Sequence, residues 1–144
     1  MADVRAEVQG LEQLRKKLRS AGPELAARAL EKALQAGGAV IEKAMRARTP
    51  VREGTLVADL HTTVEISPNA TAGRALIGFG KEGHKARWVE FGHRQVAHGT
   101  AEKERREVGH VPAHPFMRPA FEESQAEAKD AVAKELGNGL KEIK

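Results

Sequence analysis

Five of the six histidines (His84, His93, His98, His110 and His114) fall between positions 84 and 114, so chemistry would first be sought there. His93 and His98 are five apart, and His110 and His114 are four apart. Two imidazoles at i and i+4 of a helix can share one metal ion. Pro112, however, lies between His110 and His114 and works against a regular helix. Neither pair carries the adjacent glutamate of the His-Glu-x-x-His pattern. The histidines therefore read as exposed loop residues, with His114, in Pro-Ala-His-Pro, satisfied by backbone.

Glu90, beside Trp88 and Phe91, could be a carboxyl with a raised pKa in an apolar site. It is equally a partner for Arg87, Arg118 or a backbone amide, and that structural reading carries more weight. None of the three serines, Ser20, Ser67 and Ser124, sits in a Gly-x-Ser-x-Gly turn. Gly78-Phe79-Gly80-Lys81-Glu82-Gly83 resembles a phosphate-binding loop but lacks the Gly-Lys-Ser/Thr ending, so a hairpin end accounts for it better. Arg46, Arg48 and Arg52 cluster around a helix end, and Lys103, Arg105 and Arg106 are interleaved with three glutamates. The aromatic interleaving that stacks single-stranded bases is absent, although nonspecific contact with DNA phosphates is chemically open to these cations. The reading therefore assigns no catalytic residue, no cofactor site, no metal site and no small-molecule substrate.

The elements that must position these residues are set by an aliphatic chain of 144 residues. That is the size of one domain, and no linker divides 1–144. With four Phe, one Trp and no Tyr, the core must come from Ala, Leu and Val. There is no cysteine, which excludes disulfides and thiolate metal sites. Neither a charged-then-apolar leader nor an apolar run long enough to span a membrane occurs, so no membrane partner is expected. The net charge of +4 is uneven: residues 1–52 are net +5, 53–80 net −2, 81–119 net +3, and the stretch from 120 net −2. A positive balance of this size permits contact with nucleic acid without requiring it.

Val4, Ala6 and Val8 alternate with charged residues and predict a short strand ended by Gly10. Leu11, Leu14 and Leu18 follow a helical stripe that Ser20-Ala21-Gly22-Pro23 interrupts. The spacing of Leu30, Leu34, Ile41 and Met45 predicts a long helix over 23–47. Gly37-Gly38 within it implies either a close approach to a neighbouring element or a kink. Thr49-Pro50 ends that helix. Residues 54–60 suit a short helix or an extended piece. The alternating segment 61–66 and the segment 74–80, joined by a turn over 68–73, predict a hairpin. Residues 85–92 suit a helix or a strand, with Trp88, Val89 and Phe91 anchoring it in the core. Between His93 and His110 the apolar pattern stops, which predicts a polar loop, mobile in the free subunit. A Pro-rich entry then leads into a last helix over about 116–142. Phe116 and Phe121 are expected to hold that helix to the body, with Trp88 or Phe91 opposite. The fold class that follows is α+β, a small antiparallel sheet packed against the long helix and the C-terminal helix.

Three motifs punctuate this plan. The first runs from Thr49-Pro50 to Gly54-Thr55-Leu56. The second is Trp88-Val89-Glu90-Phe91-Gly92, and the third is Pro112-Ala113-His114-Pro115-Phe116-Met117-Arg118-Pro119-Ala120. With Gly10-Leu11-Glu12-Gln13-Leu14 at the start, they make the chain resemble the tail-completion and head–tail joining (neck) proteins of lambdoid siphophages and prophages. His93 stands where that family often has Thr after the Val-Glu-x-Gly step. The resemblance implies a non-enzymatic virion component, made in the bacterial host cytoplasm and built into the tail or neck. It implies a homo-oligomeric ring that completes the tail end or joins it to the head, with neck and tail-tube proteins as neighbours and DNA passing through or near the bore. Thr49, Pro50, Gly54, Leu56, Trp88, Glu90, Phe91, Gly92, Pro112, Pro115, Phe116, Arg118 and Pro119 would then be structural and assembly residues. Lys103, Arg105 and Arg106 would lie in a docking loop. The alternatives from other classes are a small nuclease using Glu90, His93, His98 or His114, and a DNA-binding protein built on the basic first half.

Overall fold

The computed structural model describes residues 11–98 and 105–142; the alternating stretch 4–8 lies outside them. The longest uninterrupted helical pattern sets the frame. Helix α2 (Pro23–Arg48) buries Ala26, Ala29, Ala33, Gly37, Gly38, Ile41 and Met45, a stripe that returns every three or four residues. Helix α1 (Leu11–Ser20) precedes it, and Pro23 occupies the first turn of α2, where a missing N–H costs nothing. Thr49 closes α2. Its N–H and its Oγ1 both donate to the Met45 carbonyl, at 2.8 and 2.7 Å, and its extended ψ of 125° is the one that Pro50 demands.

After the short helix α3 (Thr55–Asp59), strands β1 (Leu60–Ile66) and β2 (Gly73–Phe79) form an antiparallel hairpin in which Leu60 faces Phe79 and Ile66 faces Gly73. Helix α4 (Gly83–Phe91) follows, then strands β3 (His93–His98) and β4 (Arg105–Val111), and finally helix α5 (Met117–Glu142). The class is α+β, as the sequence predicts. Two two-stranded sheets are present among the described residues.

Helix α2 is gripped from two sides, and its paired glycines explain how. A Cβ on Gly37 would lie 2.5 Å from Val132 Cγ2 and 3.2 Å from the Ala128 carbonyl oxygen, both on α5. A Cβ on Gly38 would lie 2.5 Å from Thr62 Cγ2 on β1. One glycine lets α5 approach and the other lets the hairpin approach, while the helix runs unbroken through both. The close approach, and not the kink, is the reason for the pair. Ile41, Met45, Leu60, Ala120 and Ala128 form the core at this junction, with Ile77 and Phe79 packed against them.

The segment expected as an irregular polar loop, 93–110, is corrected by the structure. Strands β3 and β4 pair antiparallel, with His93 opposite Val111 and a register shift after Gln95. Beyond their mutual pairing they make only sparse contact with the rest of the described residues. The described side chains of this ribbon are exposed on both faces, Val96 and Val108 among them, so no apolar alternation exists in the sequence to reveal it. Lys103 lies outside the described residues. Arg105 and Arg106 begin β4, opposite His98 and Ala97.

Candidate assembly site

The three motifs converge on one corner of the molecule. Leu56 from the first, Phe116 from the third and Ala86 of α4 form a buried cluster, with Val89 of the second motif packed against it. The Phe116 side chain is 3% exposed and meets Phe79 edge-on, centroids 5.9 Å apart, a geometry in which a ring's positive edge faces a negative face. Gly54, with φ of 77°, makes the left-handed turn into α3 that presents Leu56. Pro50 is exposed at the turn ahead of it.

Glu90 joins the second motif to the third. Its residue is 6% exposed. Oε2 accepts the backbone N–H of Phe116 at 2.7 Å and of Met117 at 2.9 Å, and Oε1 accepts that of Arg118 at 3.1 Å. These donors belong to the first turn of α5, which has no intrahelical partner for them. Phe116 stands at the cap position but offers no side-chain oxygen, so Glu90 supplies the cap from another helix. A carboxylate here also meets the positive end of the helix dipole. Burial alone pushes the Glu90 carboxyl up. The amides of Met117, Phe116 and Arg118, with the Arg118 charge, outweigh it and hold the group below the usual glutamate range. Glu90 is thus a bound anion, with each oxygen occupied by the backbone.

The neighbouring contacts lock the same joint. The His114 N–H donates to the Val89 carbonyl at 2.7 Å. Gly92, at φ 74°, lies so close to the Pro-rich entry that a Cβ would come 2.6 Å from the Val111 carbonyl oxygen and 2.9 Å from the Ala113 nitrogen. Pro119 falls in the first turn of α5, where the lost N–H is free of cost. Pro112, Pro115 and Arg118 are exposed around the joint.

Two expectations fail here. Trp88 and Phe91 do not anchor the core; they are 48% and 63% exposed. Phe121 is also half-exposed, and Phe79 takes the place opposite Phe116. On α4, Ala86 and Glu90 are four residues apart and share the inward face, and the rotation of about 100° per residue places Trp88 and Phe91 on the opposite, outward face. Trp88 lies between His84, edge-on at 5.1 Å, and His93, stacked at 5.2 Å.

The remaining candidates are dispersed. Among the described residues no group of three or more His, Asp or Glu is placed to hold a metal ion. His110 lies in β4 and His114 in the irregular entry, so they share no helix. The hydroxyls of Ser20, Ser67 and Ser124 all make local bonds, Ser124 to the Ala120 carbonyl at 2.6 Å. The glycine-rich stretch 78–83 is the passage from β2 to α4, and the Glu82 N–H donates to Asp59 Oδ2 at 2.8 Å. Arg46 binds the carbonyls of Val57 and Leu60 and the Glu42 carboxylate, while Arg48 pairs with Glu123. Two of the three clustered arginines therefore have partners within the chain, while their side chains stay about two-fifths exposed.

The sequence reading offers a backbone amide as a partner of Glu90, and the structure supplies three; that these amides open α5 goes unread there, although the helix start Pro115-Phe116-Met117 has no Ser, Thr, Asp or Asn to receive them.

A family model described as "Bacteriophage HK97-gp10, putative tail-component" matches residues 12–92, more than half of the chain. No curated protein and no solved structure gives a significant match. The matched stretch holds the first two motifs and ends at Gly92, two residues after Glu90.

Proposed function

We propose, because this chain belongs to the HK97-gp10-like family of bacteriophage tail components, that it is a non-enzymatic structural protein of the virion. It completes the head-proximal end of the tail and joins it to the head as a homo-oligomeric ring, beside neck and tail-tube proteins. One observation carries the reading. Glu90, the carboxylate of the second motif, is held by three backbone amides, while the large aromatics of the same motif face outward. An enzyme keeps its carboxylate free for a substrate and its aromatics around it. A subunit of an assembly keeps exposed aromatics for a neighbour.

The chain would be made in the host cytoplasm and end in the virion. Lys103, Arg105 and Arg106, on or next to the β3–β4 ribbon, are the proposed contacts to carboxylates of adjoining proteins or to phosphates of passing DNA. A nuclease role has no comparable support, because the carboxylate of Glu90 is held by backbone amides. The test is electron microscopy of particles assembled without this protein. Full heads lying beside free tails are expected; joined, infective particles would end the reading.

A further inference from the structure

Helix α4 turns one row of side chains outward. His84, Arg87, Trp88 and Phe91 follow the i, i+3, i+4, i+7 spacing with which a helix seats itself on a partner. Both aromatics are open to water, yet Trp88 is held in place, with His84 edge-on to it and His93 stacked on it. A side chain fixed in this way loses little rotamer freedom when a neighbour covers it. Lys85, on the flank of the row, is paired with Glu82. Arg87 is exposed and has no ion-pair partner among the described residues. The outer face of α4 is therefore two large aromatics beside an uncompensated cation.

The first half of α5 carries the opposite surface. Ala120, Ser124 and Ala128 take its buried side. Glu122, Ala126 and Asp130, four residues apart, form an exposed outward row, with Glu123 and Glu127 exposed beside it. Glu123 is paired with Arg48, while Glu122, Glu127 and Asp130 have no ion-pair partner among the described residues. Lys129, the one cation between Glu122 and Asp130, lines the hollow between α2 and α5. We infer that the outer face of α4 in one copy packs against this acidic face of α5 in the next, with Trp88 and Phe91 laid over Ala126 and Arg87 among the carboxylates.

Charge selects this pairing over the symmetric ones. Two α4 faces brought together would oppose Arg87 to Arg87, and two α5 faces would oppose carboxylates to carboxylates, each at a cost. An α4 face against an α5 face joins unlike charges, so each surface rejects its own kind and accepts the other. Length agrees: the row from His84 to Phe91 is about 11 Å long and that from Glu122 to Asp130 about 12 Å. The small Ala126 at the centre leaves room for the rings, and the acids around it stand where a rim charge belongs. The two faces are different surfaces of one chain, so the contact is head-to-tail and propagates into a ring when the rotation closes. This contact rests on the ring reading above and names the two surfaces that make it.

Sedimentation of two charge variants and of their mixture tests it. Arg87→Glu reverses the α4 face and leaves α5 as it is. Glu122→Lys with Asp130→Lys reverses the α5 face and leaves α4 as it is. All three positions are exposed, and circular dichroism confirms that each variant folds. The full chain is expected to associate, and each variant alone to associate about tenfold more weakly or worse. In the mixture the natural α4 face of one variant meets the natural α5 face of the other, and reversed meets reversed, so association should return. Variants that associate like the full chain overturn the inference and leave the ring to another surface. A mixture that associates no better than its parts overturns it as well. So does unchanged association of an Arg87→Glu chain that no longer retains duplex DNA, which would give the α4 face to phosphates instead. A full chain that is monomeric at every concentration overturns it too, yet leaves the tail role to be judged on particles. Joined particles formed without the chain would end that role whatever the chain does in solution.

Discussion

Glu90 shows how a residue can look catalytic and be structural. A carboxyl between aromatic neighbours in sequence is either an acid with a raised pKa or, the reading given more weight, a structural partner; three backbone amides make it the second and turn the shift downward. Because its pKa is lowered in the folded state, its contribution is full above the ordinary glutamate value and is lost as pH falls through the lowered one. Glu90→Gln removes the charge and leaves helix amides facing an uncharged amide group. It is expected to cost about 1.5–3 kcal/mol at neutral pH, with the deficit shrinking in acid as Glu90 of the natural chain protonates. Urea melts of both proteins across the acid range would check this, and a deficit independent of pH would refute the cap. Phe116 makes the companion case. Its burial against Leu56, Ala86 and Phe79 predicts a loss of about 3–5 kcal/mol for Phe116→Ala, read as a fall in the urea midpoint. The importance of Phe116 was legible in the sequence. Its partner was not, because aromatics were expected to pair with aromatics of the nearest motif, and helical periodicity sent those to the other face.

Elements were legible where one face meets the core and the other meets water. The α2 stripe, read as 23–47, is observed at Pro23–Arg48, and the hairpin read over 61–80 spans Leu60–Phe79. Segments 54–60 and 85–92, left between two states, are short helices leading into or out of turns. The β3–β4 ribbon was invisible because neither of its faces enters this chain's core, so no period of two is written into it. The glycine pair of α2 yields an element-scale prediction. Gly38→Ala gains about 1 kcal/mol of helix propensity. The new methyl, however, meets Thr62 Cγ2, and Thr62 cannot swing away without breaking its 2.6 Å bond to Glu42. Overpacking of about 1–3 kcal/mol should outweigh the gain. A thermal melt of Gly38→Ala above that of the natural chain would show that the hairpin can yield.

At the scale of the whole molecule, the body is finished and the surface is not. Trp88 and Phe91 on α4 are open, and on an assembly component such side chains would be sites for neighbours. Trp88→Ala is therefore expected to leave the melting curve nearly unchanged while weakening association about tenfold or more, read by sedimentation. A large stability loss with normal association would return Trp88 to the core. The clamp beneath the ribbon has a consequence for how such a chain can diversify. Glu90 grips amides 26 to 28 residues ahead, and the whole ribbon lies inside the span it closes. Whatever is inserted there begins and ends at the same fixed gate. Closure entropy grows only slowly with the length enclosed, so the arm can be lengthened, shortened or exchanged for another while the body stays as it is. Grafting the arm of one family member onto the gate of another would then transfer its choice of neighbour as a single cassette.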